Sequence, residues 1–346
     1  MTPTIASARL HNQHISQPGP SDPVRIVSWL TAVQAQEFEY AKWGVALRTH
    51  RLTNADVQCA FDAGKILRTH VLRPTWHFVT PADIRWMLEL SVRSVHQRMA
   101  PYDRRLGLTT QVMHRAIRVF EKVLGEGEFL TRAELRQHLE RSGLPHKTYN
   151  FSHMALYAEA EGVLTSGPRL GKQFTYALLS LRAPNARSLP REEALAELAL
   201  RFLRSRGPCT TRDFSWWSGL NAADSKRAFE MNDPRKLVVD GLTYWTLGRK
   251  TVRSAESTVQ LLPIYDEYLV SYRDRIAVRR GAKPRLAGGG YGTFQNSLVI
   301  GGQMAGTWRT DGKAGAVRVI PARRLRIEEQ ALVRHEVSRY ERFRNA

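Results

Sequence analysis

One order of predicted elements recurs along this 346-residue chain: three helices followed by two short strands. The second copy shows it most clearly, because apolar residues follow helical spacing from Gln111 to Leu124. Thr131 stands three residues before Glu134, as in a capping box at a helix start. A third helix, Tyr149 to Glu161, precedes a hairpin with a basic, glycine-containing tip. This order is that of a winged helix, a helix-turn-helix variant that places one helix in a nucleic-acid groove.

The same order is predicted on both sides of this copy. In the third copy, Thr210 or Thr211 caps a short helix, and Asp240-Gly241 is a strong signal for a hairpin turn. The longer helices of that copy are predicted at Glu192 to Ser205 and Ala222 to Met231. The first copy is less regular. Its predicted helices are Pro23 to Gln36, Phe38 to Thr49 and Thr53 to Ala63, and its predicted strands are Ile66 to Leu72 and Thr75 to Val79.

The pattern changes after residue 256. Short apolar segments, such as TVQLLPIYDEYLVSY, NSLVIGG and MAGTWR, alternate with turns and predict a small antiparallel sheet, which a basic helix at about Arg323 to Phe343 covers. We predict an α+β fold that is mainly α, with units at residues 1–108, 109–187, 188–256 and 257–346. The first three are tandem winged helices and the fourth is a β-rich unit, and together they form a C shape around a basic cleft.

The charge of the chain favours a polyanionic partner. Lys and Arg number 52 against 32 Asp and Glu, which gives a formal charge of +20 and a sequence pI of about 10.5. Such a field attracts nucleic acid, and with three winged helices it favours double-stranded DNA. Winged helices also serve as protein-interaction modules, so a non-catalytic DNA-binding regulator or architectural protein remains the alternative interpretation.

Several classes of protein and site are not expected. Cys59 and Cys209 stand far apart and lack the spacing of a disulfide framework or a zinc knuckle. The histidines show no ligand spacing, and the Walker, HExxH, GxSxG and dinucleotide signatures are missing, so we expect no metal and no cofactor. No apolar run approaches the length of a membrane span. The expectation is a cytoplasmic, nucleoid-associated monomer with no membrane partner.

A pair of glutamines at the end of the first predicted helix, Gln34 and Gln36, constrains the chemistry. Carboxamides do not titrate at neutral pH, but each offers a donor and an acceptor to a water molecule. A site of this kind hydrolyses only a bond whose leaving group is already activated. Residues i and i+2 of a regular helix point roughly 200° apart. The two glutamine side chains can therefore share a site only if the helix ends near Gln34 or the substrate lies along it.

Four blocks of sequence resemble the AlkZ-type winged-helix DNA glycosylases, a bacterial family that unhooks alkylated purines and interstrand crosslinks. They are ARLHNQHISQPGPSDPVRIVSWLTAVQAQ from Ala8, LRTHVLRPTWHFVTPADIRWML from Leu67, LLPIYDEYLVSYRDR from Leu261 and VIGGQMAGTWR from Val299. The resemblance extends over nearly the whole chain at matching spacing. It implies that Gln34 and Gln36 are the family's catalytic Gln-aliphatic-Gln motif, with Ala35 as the middle residue.

The chemistry implied by the resemblance agrees with the paired amides. Alkylation at N7 leaves guanine cationic, so the glycosidic bond breaks towards an oxocarbenium ion without protonation of the base. The protein then has to orient water and surround the cation with acceptor oxygens. No Lys lies beside the motif, so we expect a monofunctional DNA glycosylase without a Schiff-base lyase step. Sequence does not separate general alkylation repair and crosslink unhooking from self-resistance to one genotoxic natural product.

Further residues are candidates for the site. His77 shares a strand face with Thr75 and is a tentative catalytic residue, with a satisfied core histidine as the alternative. Glu37 and Glu39 are interpreted as a solvated or salt-bridged face. Asp266 and Glu267 are interpreted as structural partners of basic residues such as Arg273. Basic and aromatic residues near two predicted turns are candidates for phosphate and minor-groove contacts: Arg169, Lys172, Arg273, Arg275, Arg279, Arg280, Lys283, Arg285 and Tyr291.

Overall fold

The computed structural model describes residues 5–247, 258–279, 295–311 and 315–346. The first repeat follows a short N-terminal helix, α1 (Ile5–Asn12). Its elements are α2 (Pro23–Leu30), β1 (Val33–Gln34), α3 (Phe38–Ala46), α4 (Asn54–Asp62), β2 (Leu67–His70), β3 (Trp76–Val79) and the long helix α5 (Pro81–Arg105). Thr53 and Asp56 form a capping box that begins α4, and Asp22 caps α2 at Pro23.

The second and third repeats show the predicted order of elements. The second comprises α6 (Thr110–Leu124), β4 (Leu130–Thr131), α7 (Arg132–Arg141), α8 (Thr148–Ala160), β5 (Leu164–Leu170) and β6 (Gln173–Leu178), and is followed by α9 (Leu179–Arg182). The third comprises α10 (Arg191–Arg206), α11 (Thr211–Ser218), α12 (Ala222–Glu230), β7 (Arg235–Val239) and β8 (Leu242–Thr246). The capping boxes at Thr131 and Thr210 are present, and Asp240 and Gly241 both have the positive φ that a tight hairpin turn requires.

A short strand between the first and second helices of the first and second repeats was not predicted. In the first repeat β1 pairs with β3, and in the second β4 pairs with β6, so the sheets have the orders β1-β3-β2 and β4-β6-β5. In the third repeat a single antiparallel bridge joins Cys209 to Trp245 at the equivalent place. The backbone between the first and second helices is thus always tied to the last strand of the hairpin.

The helix predicted from Pro23 to Gln36 is wrong at its C-terminal end. The helix stops at Leu30, because Thr31 has a φ of 66° and leaves the helical conformation. Beyond it, Ala35 donates its N–H to the carbonyl of Trp76, 2.7 Å away. The apolar residues Ala32, Val33 and Ala35 are buried, so this segment completes the sheet instead of extending the helix.

The C-terminal unit is a four-stranded antiparallel sheet covered by a helix. The strands β9 (Val259–Leu262), β10 (Ser297–Ile300), β11 (Gln303–Asp311) and β12 (Ala316–Pro321) lie in the order β12-β11-β10-β9, and the covering helix is α14 (Ile327–Asn345). The apolar run from residue 258 is not one strand, because the chain turns at residues 263–266 into a single helical turn, α13 (Glu267–Val270). A 3-10 turn, Ile276–Val278, follows it.

Two shared apolar cores join these units. Val71 and Leu72, after β2, lie in one core with Phe202 of α10 and Trp217 of α11. The C-terminal unit packs against the first repeat through Trp43, whose ring contacts Tyr340 and Phe343 of α14, among others. The first repeat is therefore held from two sides, by the third repeat and by the C-terminal unit. Within the described ranges no helix is long and apolar enough to cross a membrane.

Candidate active site

Gln34 lies on the extended backbone of β1, and Gln36 stands at the bend that follows this strand. Gln34 is in β1, with His77 of β3 directly opposite in the register, and Gln36 follows two residues later. Alternate residues of an extended segment project to the same side, whereas a helix would have separated them. Gln34 is 6% exposed, while Gln36 is only partly buried. The end of the helix at Leu30 therefore removes the geometric difficulty noted for the sequence.

Gln34 accepts a hydrogen bond from the β2–β3 connection, residues 71–75, and Gln36 accepts one from Trp76, the first residue of β3. Arg73 donates from Nη2 to Oε1 of Gln34 at 2.9 Å. The backbone N–H of Trp76 donates to Oε1 of Gln36 over a long 3.5 Å. Arginine has donors only, so its contact identifies which end of the Gln34 amide is the carbonyl oxygen. Both carbonyl oxygens accordingly face residues 71–76.

A buried ion pair anchors the backbone of Gln34. Glu267 of α13 accepts the N–H of Gln34 on Oε1 at 2.8 Å, and its Oε2 lies 2.7 Å from Nη2 of Arg206. Arg206, at the end of α10, also donates to the carbonyls of Leu30 and Ala32 at 2.8 and 2.9 Å. The segment that leads into β1 is thus held by charged residues from the third repeat and the C-terminal unit.

Glu267 is fully buried and ionised. Burial alone would raise its pKa, but the Arg206 charge and the hydrogen bonds from Ser271, Arg206 and Gln34 outweigh burial and lower the pKa to about 2. The indole N–H of Trp217 donates to the same carboxylate at 3.1 Å. The structure confirms the interpretation of Asp266 and Glu267 as structural partners, but the arginines differ from the predicted one: Asp266 pairs with Arg48 at 2.8 Å.

His77 is a neutral, inaccessible histidine on the same face as Gln34. Its side chain is 0% exposed, and its Nδ1 lies 2.9 Å from the carbonyl of Thr75. Burial, followed by the Arg73 charge, lowers the pKa of His77 to about 3. Because a carbonyl only accepts, Nδ1 carries the proton and Nε2 is an acceptor. This Nε2 is buried without a hydrogen-bond partner in the part of the chain that the structure describes.

Two arginines of the site were missed by the sequence reasoning. Arg73 and Arg206 are separated by more than a hundred residues. Arg73 lies inside the block that begins at Leu67 but was not singled out there, and Arg206 lies in none of the four blocks. Arg73 also lies near an exposed aromatic side chain, because its guanidinium carbon is 5.9 Å from the ring centroid of Trp216, which is 43% exposed. Arg73 and Trp216 come together only because α11 packs against the β2–β3 connection.

The predicted DNA-binding residues fall in three different environments. The guanidinium of Arg169 lies 4.0 Å from the ring centroid of Phe174, and Lys172 is exposed at the tip of the same hairpin. Arg273 and Arg279 are exposed, whereas Arg275 is partly buried and donates to the carbonyl of Leu269 at 2.9 Å. The remaining candidates lie outside the described residues: Arg280, Lys283, Arg285 and Tyr291.

Carboxylates next to the glutamines are turned away from them. Glu37 and Glu39 are exposed, and Glu39 forms an ion pair with Lys42 at 2.9 Å, as the sequence interpretation expected. Among the described residues, no group of three or more His, Cys, Asp or Glu side chains is arranged to hold a metal ion. The arrangement as a whole offers two carboxamide carbonyl oxygens to a water molecule, next to a buried neutral imidazole.

Comparison with solved structures gives the fold class. The Streptomyces sahachiroi DNA glycosylase AlkZ superposes with a TM-score of 0.81 over 98% of this chain and 97% of its own, at 22% sequence identity. At that identity the likeness shows a shared fold, a mixture of helices and small sheets.

The sequence comparisons define the family. The family model for AlkZ-like DNA glycosylases matches residues 27–343, so the chain belongs to this family and is a DNA glycosylase, which acts on DNA. An interstrand DNA cross-link repair glycosylase of Streptomyces sahachiroi is 25% identical over 316 residues, which cover 85% of this chain and 82% of that protein. The membership predicted from the four sequence blocks is confirmed.

Proposed function

We propose that this glycosylase hydrolyses the N-glycosidic bond of N7-alkylated purines and unhooks interstrand crosslinks made through such purines. The observation that carries the proposal is the pair of carboxamides whose carbonyl oxygens accept hydrogen bonds from Arg73 and from Trp76. The backbone of Gln34 is also anchored, by Glu267. The interstrand DNA cross-link repair glycosylase that resembles this chain supports the extension to crosslinks.

In the proposed reaction the bond between C1′ and N9 breaks and its electron pair passes to the alkylated base, which departs neutral. The sugar develops oxocarbenium character, a water held by Gln34 and Gln36 attacks C1′, and the surplus proton of that water passes to solvent. Carbonyl oxygens stabilise that cation by charge-dipole interaction, which is strongest where bulk water is excluded. His77 contributes a neutral acceptor at Nε2, whose place opposite Gln34 suits a hydrogen bond from the NH₂ group of the Gln34 amide.

DNA would lie along the basic surface. We propose that the three repeats are winged-helix units, arranged with the C-terminal unit as a C around the duplex. Lys172 at a hairpin tip and Arg273 and Arg279 after α13 are exposed and suited to phosphate contacts. Arg169, Arg275 and the residues outside the described ranges, Arg280, Lys283, Arg285 and Tyr291, complete the proposed interface.

The test uses duplex DNA with a single N7-methylguanine. The wild-type protein should create abasic sites, and borohydride should trap no covalent enzyme–DNA adduct because the reaction is monofunctional. Gln34→Ala and Gln36→Ala should each lower the single-turnover rate by about 100-fold or more, with little change in affinity for a non-cleavable duplex. Normal cleavage by both variants would refute the assignment, and the absence of abasic sites with wild type would favour a non-catalytic DNA-binding protein.

A further inference from the structure

Arg73 occupies a costly position that the proposed chemistry has not yet explained. Its Nε is buried without a hydrogen-bond partner, and no carboxylate of the described residues forms a salt bridge with it. A buried guanidinium N–H that lacks an acceptor is unfavourable. Its Nη2 donates a hydrogen bond to Oε1 of Gln34 at 2.9 Å. The charge is therefore directed at one end of one amide.

The direction of that amide matters because its two ends act on water in opposite ways. A carbonyl oxygen accepts a hydrogen from water and leaves the water's lone pairs free for attack. An NH₂ group donates to a lone pair and ties up the nucleophile. A glutamine amide has nearly the same shape after a half-turn, so packing alone selects its direction weakly. An arginine selects the direction of the amide strongly, since the guanidinium has no acceptor to offer the NH₂ end.

We propose that Arg73 is a positioning residue that holds the carboxamide of Gln34 with its carbonyl oxygen towards residues 71–76. Gln36 presents its own carbonyl oxygen to the same residues, through the N–H of Trp76. Each carbonyl has a second lone pair, so one water can donate one hydrogen to each glutamine and direct its oxygen at C1′. The inference rests on the proposed function and names the residue that orients its attacking water.

A contact between Arg73 and a DNA phosphate is the competing role. The two roles differ in what they change. A positioning residue that acts through Gln34 affects the rate of the chemical step and leaves affinity unchanged. A phosphate contact affects affinity and contributes about one unit to the dependence of log K on log salt.

The experiment compares Arg73→Met, which keeps the stem and removes every donor, with Arg73→Lys, which keeps the charge. Arg98→Met is the matched control: Arg98 lies beside the same region and donates to the carbonyl of Gly219, which Ser94 also binds. Single-turnover release of N7-methylguanine and affinity for a non-cleavable duplex at several salt concentrations are measured for each. Thermal unfolding establishes that each variant is folded.

Arg73→Met should lower the single-turnover rate by about 10- to 100-fold, with unchanged affinity and salt dependence. Arg73→Lys should lower the rate less, since it keeps a charged donor. In a Gln34→Ala background, Arg73→Met should change the residual rate by no more than about 2-fold, since its partner is gone. If Arg73→Met does not fold, Arg73→Gln decides, because its amide offers both a donor and an acceptor and no longer selects the direction of the Gln34 amide. A reduced rate at unchanged affinity supports the proposal, and a wild-type rate overturns it.

A wild-type rate in Arg73→Met, or weakened affinity with a smaller salt slope, would overturn the inference while leaving the glycosylase proposal intact. A failure of the wild-type protein to release the base would instead refute the proposed function itself. The two failures are therefore distinguishable in one set of measurements.

Discussion

The buried neutral state of His77 predicts a specific loss of stability in mild acid. The pKa of His77 is about 3 in the native protein, against an ordinary value of 6.5 in the unfolded chain. Because the native pKa is lowered, the stabilisation is complete above pH 6.5 and is lost as the pH falls from there towards 3. Each pH unit in this window costs about 1.4 kcal/mol. Between pH 7 and pH 5, His77 alone should lower the free energy of unfolding by about 2 kcal/mol.

Urea unfolding followed by tryptophan fluorescence at pH 5, 6 and 7 measures this loss. His77→Asn keeps a donor for the carbonyl of Thr75 and removes the titrating ring. Between pH 7 and pH 5, the free energy of unfolding of this variant should therefore fall by about 2 kcal/mol less than that of the wild type. Glu267 does not interfere, since its lowered pKa stabilises the protein above pH 4.5 and that contribution is lost only below this window. His50→Asn, at an exposed side chain in the loop after α3, is the control.

If the free energy of unfolding falls by the same amount between pH 7 and pH 5 in wild type and in His77→Asn, the reasoning is refuted. Such a result would mean that the ring of His77 is reached by water or paired with a charge, and that Nε2 is not a neutral acceptor beside Gln34. The same argument predicts a rate of base release without an inflection near pH 6.5 from His77, which a pH profile on the folded protein checks.

Three further outcomes follow from the packing around the site. Gly219→Ala should lower Tm by several degrees and slow base release, because Gly219 has a φ of 72° and an added Cβ would overlap the carbonyl oxygen of Leu72; an unchanged Tm would contradict it. Glu267→Ala should cost about 3–5 kcal/mol of stability by leaving Arg206 buried and unpaired, whereas Glu267→Gln should cost less; denaturant titrations compare them. Lys172→Ala should weaken binding to all duplexes alike and reduce the salt slope by about one, which fluorescence anisotropy measures.

The repeated architecture was predictable because its signals are local. Capping boxes at Thr131 and Thr210 and the Asp240-Gly241 turn specify the start of a helix or the reversal of a hairpin within four residues. Apolar spacing then identified the second and third repeats almost to their observed boundaries. The first repeat was less regular, and there the end of the helix before Gln34 was placed six residues too late.

That error arose because nothing within residues 23–36 stops a helix. The interruption depends on partners far along the chain: the carbonyl of Leu30 binds Arg206, and the N–H of Gln34 binds Glu267. Amphipathic periodicity continues through such a point, so sequence spacing alone cannot locate it. For the same reason, Arg73 and Arg206 were absent from the predicted site.

The sequence by itself determined the repeated plan, the basic character of the chain, its family and the pair of amides that narrows the chemistry, since each of these is written in neighbouring residues or in composition. Only the tertiary structure decided that Gln34 and Gln36 share one side, that His77 is neutral and that two distant arginines and Glu267 hold the site. Those properties depend on desolvation and on charges from separate units. The desolvation and the neighbouring charges are present only when the first repeat is packed between the third repeat and the C-terminal sheet.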